Sequence, residues 1–238
     1  MRVHHFTTPK SDESKESNQD FIGYDIKRKI FAIADGVTTS VFPEIWAKII
    51  VNQFLENTFR DKDLSNEFLK NWLFIAIEKF SESISKLDID QFMRDLAVDK
   101  GAATTFLGCQ ILDQKKTKKI RIWAIGDSNI FHINNNKIQN LFPVAKIEEF
   151  SNMTEAFSSL PEQNRSNLSV SEWEIHEGDT IVIATDAFSK WFLWASINGQ
   201  KPWNKIRKNL FRMESFIKKL RFNKKINDDD TSFIYIKF

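Results

Sequence analysis

Cysteine occurs once in this chain, as Cys109, which excludes a disulfide framework and any Cys-rich metal site and points to a reducing compartment. Histidine is almost as sparse. His4, His5, His132 and His176 are scattered, with no H-E-x-x-H spacing, and read as surface or satisfied core residues. Glycine occurs only 7 times, so each one retained is a candidate for a backbone position that no other residue fills. Neither sign of charge is in excess: 34 basic residues against 32 acidic ones leave a net charge of +2. That balance gives no support to a nucleic-acid or membrane-surface partner. The longest apolar run, Trp72 to Ile77, falls far short of the ~20 residues a membrane span needs, and Met1 to Phe6 lacks the apolar stretch of a secretory signal. The expectation is a cytoplasmic protein. Also missing are the G-x-S-x-G elbow, the P-loop and G-x-G-x-x-G, and Cys109 lies in the apolar run F-L-G-C-Q-I-L, where a buried, inert thiol is expected.

What is present fits a globular fold. Hydrophobic residues make up 42% and charged ones 28% of 238 residues, and that length favours one domain, 1–238, over two. After a short strand-like piece, the polar stretch Thr7 to Asn18 reads as a loop. Strands are expected over 21–25 and 29–34. Pro43, with Trp46, Ile50 and Phe54 spaced i, i+4, i+8, predicts a helix, and a second runs from Ser65, its N-cap, to Leu87. Strands follow over 104–111, 119–125, 129–133 and 137–141, joined by solvated tips at Gln114 to Lys118 and Asn134 to Asn136. Pro143 to Ser169 reads as a long surface loop or flap. Strands at 171–175 and 180–184, helices over 187–197 and 201–220, and a closing strand at 231–237 complete the chain. Short strands at hairpin spacing, interrupted by paired helices, indicate antiparallel sheets with helices outside, an α+β layered domain.

One arrangement recurs: an apolar strand that ends in aspartate. It appears as F-A-I-A-Asp35, I-W-A-I-G-Asp127 and I-V-I-A-T-Asp186, and inverted where Asp228-Asp229-Asp230 leads into T-S-F-I-Y-I. A single case is ordinary, because aspartate favours the turn after a strand. Repeated in one chain, it brings several carboxylates to a common rim. Gathered carboxylates repel one another unless cations sit among them, and hard ions such as Mg²⁺ or Mn²⁺ take oxygen ligands. The shortage of histidine and cysteine argues against zinc.

The ordered motifs N-Q-D at 18–20, A-D-G at 34–36, A-T-T at 103–105, G-D-S at 126–128, T-D-A at 185–187 and D-D-D-T at 228–231 resemble the metal-dependent protein serine/threonine phosphatases of the phosphatase 2C type. The resemblance covers nearly the whole chain. It implies a four-layer αββα sandwich of two antiparallel sheets flanked by helices, with two Mn²⁺ or Mg²⁺ ions at one edge and a third, weaker site. By this resemblance Asp35 bridges the two metals, Gly36 offers its carbonyl, and Asp186 and Asp228 ligate the first metal. Asp20 holds metal-bound water, Asp127 joins Asp186 at the third metal, and Lys15 stands where an arginine grips the phosphate. The implied reaction is hydrolysis of phosphoserine or phosphothreonine by direct attack of a metal-bridging water. The implied partners are a phosphoprotein substrate and a cognate protein kinase.

The chain departs from that pattern in places. Lys15 offers a point charge in place of a bidentate fork. Gln19 stands where glutamate is common, Val37 where animal relatives have a histidine, and Ala103 and Ala187 where glycines are usual. Lys15 and Gln19 motivate an alternative, a catalytically weak phosphatase-like binding or regulatory module. A haloacid-dehalogenase-like phosphohydrolase is a further alternative, because A-D-G-V-T faintly resembles D-x-D-G-T; there Ile33 occupies the nucleophile's position.

Overall fold

Several strands of this chain are buried along almost their whole length, so both of their faces are covered. In the computed structural model, which describes residues 1–59, 65–113, 117–150, 155–164 and 168–238, β3 (Ile30–Gly36) and β10 (Thr180–Ala184) show this most clearly. A strand hidden on both faces belongs to a sheet lying between two other layers.

Two antiparallel sheets supply the middle layers. The first runs β1 (Arg2–Thr8), β11 (Thr231–Lys237), β10, β6 (Asn129–Asn134), β7 (Lys137–Phe142). The second runs β2 (Asp20–Asp25), β3, β4 (Ala103–Asp113), β5 (Lys118–Ile125), β9 (Ser169–Ile175), and the short β8 (Phe157–Ser158) pairs with the start of β4. Between the sheets lies a core rich in isoleucine, including Ile33, Ile122, Ile183, Ile234 and Ile236. Cys109 sits in it, and burial pushes its thiol pKa up, as expected of an inert cysteine.

Helices cover the outer faces. α1 (Pro43–Glu56), α2 (Asn66–Ser85) and α3 (Gln91–Lys100) pack on the second sheet, and α4 (Asp186–Ile197), α5 (Pro202–Asn209) and α6 (Met213–Phe222) on the first. The result is the αββα sandwich. Pro43 opens α1 and buries Trp46, Ile50 and Phe54 as their spacing requires. Ser65 caps α2, its hydroxyl accepting from the Phe68 amide at 3.1 Å. Under α1 the rings of Phe54, Phe59, Phe106 and Trp123 meet edge-on at 5.2–5.8 Å, contacts worth about 0.5–1.5 kcal/mol each beyond burial.

Three expectations need correction. The helix expected over 201–220 is two helices with a turn between them, where the Arg212 amide donates to the Asn209 carbonyl. Trp203, Ile206, Met213, Ile217 and Leu220, buried on both sides of the turn, keep helical spacing across it, so the period did not show the break. α3 was not foreseen: its apolar stripe, Met93, Leu96 and Ala97 at i, i+3, i+4, is short, and only Ala97 is fully buried. The stretch from Pro143 to Ser169 is no free flap. Val144, Phe150 and Phe157 are buried, β8 pairs with β4, and the Trp46 indole donates to the Phe157 carbonyl at 2.8 Å. Residues 151–154 and 165–167 of that stretch, and 114–116 of the lysine-rich tip, lie outside the described residues.

Buried His132 is a satisfied core residue. It bonds Asp179 at 2.7 Å through Nε2 and Asn140 at 3.1 Å through Nδ1. Among the described residues no helix is long and apolar enough to cross a membrane.

Candidate metal centre

The aspartates at the strand ends converge because both sheets present the same rim. Asp20 opens β2 and Asp35 lies near the end of β3, and the antiparallel register sets them directly opposite each other. Asp127 lies in the turn between β5 and β6, a turn made possible by Gly126 at φ +98°, where a Cβ would also sit 2.6 Å from Thr105. Asp186 is the first residue of α4, following directly from β10. Across the gap between the sheets, the Thr185 hydroxyl donates to Asp20 Oδ2 at 2.9 Å.

Gly36 accounts for one glycine of this glycine-poor chain. Its amide donates to the Gln19 carbonyl at 3.1 Å, and a Cβ there would lie 2.7 Å from Cβ of Pro43, the first residue of α1. The loop, the end of β3 and the start of α1 meet too closely for a side chain.

The electrostatics record how crowded the rim is. Burial raises the pKa of Asp20 well above the usual carboxylate range, and the charges of Asp230 and Asp186 add to it. Asp35 is likewise pushed well up, by burial first and then by Asp20, Asp186, Asp127 and Asp229. For Asp186 the pKa rises to about 6, from burial and then from Asp127 and Asp229, against the pull of the Ala187 amide. The other oxygen of Asp20, Oδ1, is buried with no hydrogen-bond partner.

The structure therefore brings Asp20, Asp35, Asp127 and Asp186 within electrostatic reach of one another. It does not bring Asp228 or Lys15 into that group. Asp228 is exposed, accepts the Ser11 amide at 2.9 Å and pairs with Arg221 Nε at 3.4 Å. Partial burial nudges its pKa up, but the Ser11 amide and hydroxyl, then Arg221 and Lys10, bring it below the usual value. Asp229 is the member of the D-D-D run whose charge Asp35 and Asp186 feel. Lys15 is exposed on a 3-10 turn, and the acids that feel its charge are Glu16 and Glu214. The Gln19 side chain accepts the Thr38 hydroxyl at 2.8 Å.

Three residues at the rim lie outside the set of site residues expected from the sequence. Lys10 places its ammonium 3.2 Å from Asp229 Oδ1. Burial lowers its pKa, but Asp229, Asp230 and Glu13 outweigh that and raise it. Asp230, almost fully buried, accepts the Lys10 amide at 3.0 Å and the Gln19 amide at 2.7 Å, and so closes the loop between them. Arg221 of α6 donates to the carbonyls of Pro9 and Asp229 and to the Thr231 hydroxyl, tying the strand-end loop to the end of β1. The available signal was the D-D-D run itself, which marks three acids without saying where each points.

Among the described residues no three His, Cys, Asp or Glu side chains stand close enough as they are to enclose an ion. The chemistry of the donors nevertheless fits a hard cation: every candidate is an oxygen, the group is acidic, and a buried carboxylate oxygen lacks a partner.

The protein phosphatase 2C family profile matches residues 10–227, and the chain belongs to that family. It is a phosphoprotein phosphatase, a hydrolase. No curated protein sequence matches it. Among solved structures it is similar to the serine/threonine phosphatase Stp1 from Staphylococcus aureus, with 15% identity, a TM-score of 0.65, and coverage of 100% of this chain and 95% of that one. It is also similar to PstP/Ppp from Mycobacterium tuberculosis, with 13% identity, a TM-score of 0.58, and coverage of 100% and 99%. A PstP catalytic domain solved in complex with two manganese ions shares 12% identity at a TM-score of 0.57, with coverage of 98% and 96%. At these identities the likeness to solved structures is one of fold.

Proposed function

We propose that the chain is a divalent-metal-dependent serine/threonine phosphatase, with residues 1–238 acting as one catalytic unit in the cytoplasm. The observation that carries this reading is the rim itself: Asp20, Asp35, Asp127, Asp186 and Asp229 share one patch of charge, with an unpartnered buried oxygen on Asp20. Such a patch is costly for a protein to keep unless it binds cations. Asp20, Asp35, Asp127 and Asp186 are the proposed metal-holding carboxylates, and Gly36 adds its carbonyl. Asp229 takes the place in that set that the resemblance gives to Asp228. Mn²⁺ or Mg²⁺ held there would neutralise phosphoryl oxygens and acidify a water for in-line attack on phosphorus, with a third ion more weakly held between Asp127 and Asp186.

The protein's own residues do the positioning. The β2–β3 register holds Asp20 against Asp35, Thr185 orients Asp20, and the Ala187 amide orients Asp186. Lys10, the lysine whose ammonium lies at the rim, is placed to meet a phosphoryl oxygen, a role the resemblance gives to Lys15. A phosphoprotein substrate needs a protein kinase to make it, so a cognate kinase belongs to the same proposal.

Turnover of p-nitrophenyl phosphate and of a phosphothreonine peptide tests the reading. Both should need Mn²⁺ or Mg²⁺, and Asp35→Asn should abolish both. A wild-type chain that binds phosphopeptide but releases no phosphate under any divalent ion would overturn it in favour of a binding module.

A further inference from the structure

Beside the acidic rim lies a cleft of opposite charge. It has a volume of about 320 Å³, and one wall is a single face of α4: Ala187, Lys190, Trp191 and Trp194, spaced i, i+3, i+4, i+7. The facing wall is the segment from Lys224 to Asn227 that leads from α6 to the D-D-D run. Both walls lead in sequence to the candidate centre, since Ala187 follows Asp186 and Asn227 stands two residues before Asp229. Lys190 stands four residues after Asp186, about 6 Å along the helix and on the same face.

Among the described residues, none of Lys190, Lys224 and Lys225 lies within ion-pair distance of a carboxylate. Neighbouring Lys205 has its pKa lowered by burial and then by the charge of Lys225, so the cations here repel one another. Ile147 at the cleft is followed by the exposed Glu148 and then by Glu149, whose carboxylate is taken up by the amides of Ala145 and Lys146 at 2.8 and 3.1 Å. Trp191 and the partly exposed Trp194 give the cleft an apolar side wall against which the stem of a side chain can lie.

We infer that this cleft is the substrate-strand subsite of the phosphatase, and that it takes an acidic side chain, Asp, Glu or a second phosphorylated residue, carried by the peptide next to the phosphoresidue being hydrolysed. The inference rests on the proposed phosphatase reading and adds a substrate class to it. A peptide is the fitting occupant because both walls run on into the segments that carry Asp186 and Asp229, so a chain held at the rim can extend into the cleft. Negative charge on that peptide fits because three lysines and no acid line the cleft.

The test compares phosphothreonine peptides identical except for their flanks, which carry Glu, Gln or Lys, on the full chain loaded with Mn²⁺. The expected order of kcat/KM is Glu, then Gln, then Lys, set mainly by KM. Exposed ion pairs of this kind each give up to about fivefold, so the Glu-to-Gln ratio should fall by roughly that factor or more in Lys224→Glu/Lys225→Glu, and should shrink as salt rises. Lys190→Gln should lower the same ratio. A wild type that does not distinguish the three flanks, or a ratio untouched by these substitutions, overturns the inference. Calorimetric titration with the Glu and Gln peptides separates it from the phosphatase reading. If no peptide is turned over but the Glu peptide still binds more tightly, the chemistry fails and the subsite stands. If both are turned over and bind equally, the subsite fails alone.

Discussion

Asp20 and Asp35 stand directly opposite each other on the β2–β3 ladder, two carboxylates at the place where a strand pair usually sets attracting or apolar partners. Like charges at that spacing destabilise a hairpin. The fold tolerates the pair by holding protons there, or by holding cations.

That choice makes metal-free stability depend on pH. The Asp186 pKa of about 6 lies above that of an unfolded aspartate, near 3.9, so the folded state keeps its proton where the unfolded state has lost it. This stabilising contribution is complete below about pH 4 and is lost as pH rises through 6. Asp20 and Asp35 act in the same direction. Relative to Asp186→Asn, metal-free wild type should therefore lose about 1–3 kcal/mol between pH 4.5 and 7.5 in urea titrations. Saturating Mn²⁺ at pH 7.5 should restore it. A wild-type-to-variant difference that stays flat with pH contradicts the assignment.

The D-D-D run should divide into separate roles. Asp229→Asn should weaken Mn²⁺ binding by about tenfold or more, a loss of at least ~1.4 kcal/mol. Asp228→Asn should leave Mn²⁺ affinity nearly unchanged and cost stability through Ser11 and Arg221 instead. Calorimetric titration of Mn²⁺ into both variants decides between them.

Two lysines give a second contrast. Lys10→Ala should raise KM for p-nitrophenyl phosphate several-fold, because it removes the ammonium 3.2 Å from Asp229. Lys15→Ala, an exposed lysine that faces Glu16 and Glu214, should change KM less than about twofold. The reverse order would return the phosphate-holding role to Lys15.

Arg221 joins Pro9, Asp229 and Thr231 through one guanidinium. Arg221→Ala should lower unfolding free energy by about 3 kcal/mol, because several acceptors lose their donor at once. Arg221→Lys should recover little, since an ammonium lacks the planar fork that reaches them together. Urea midpoints of the two variants test this.

Much of the layout was legible in the chain. β3 and β10 are too apolar to be exposed on either face, and the period change after Gly36 locates α1. The carboxylates Asp35, Asp127 and Asp186 were marked by the strands they end or follow. The D-D-D run was harder to read. The run lies in a bend before β11, and its members part: Asp228 and Asp230 bond the loop amides of Ser11, Lys10 and Gln19, while Asp229 is the one whose charge reaches Asp35 and Asp186. A shift of one residue is invisible in a string of identical letters. Lys15 misled for a related reason: counting residues to Asp20 presumes a straight path, and the clamp of Asp230 on Lys10 and Gln19 folds that path into a closed loop.

The bond from the Thr185 hydroxyl to Asp20 joins the first sheet's border to the second's. Chemistry and cohesion thus share a seam, and on the proposed metal-dependent reading a shortage of divalent ions would leave this enzyme not merely idle but loosened along the line where its two halves are sewn together.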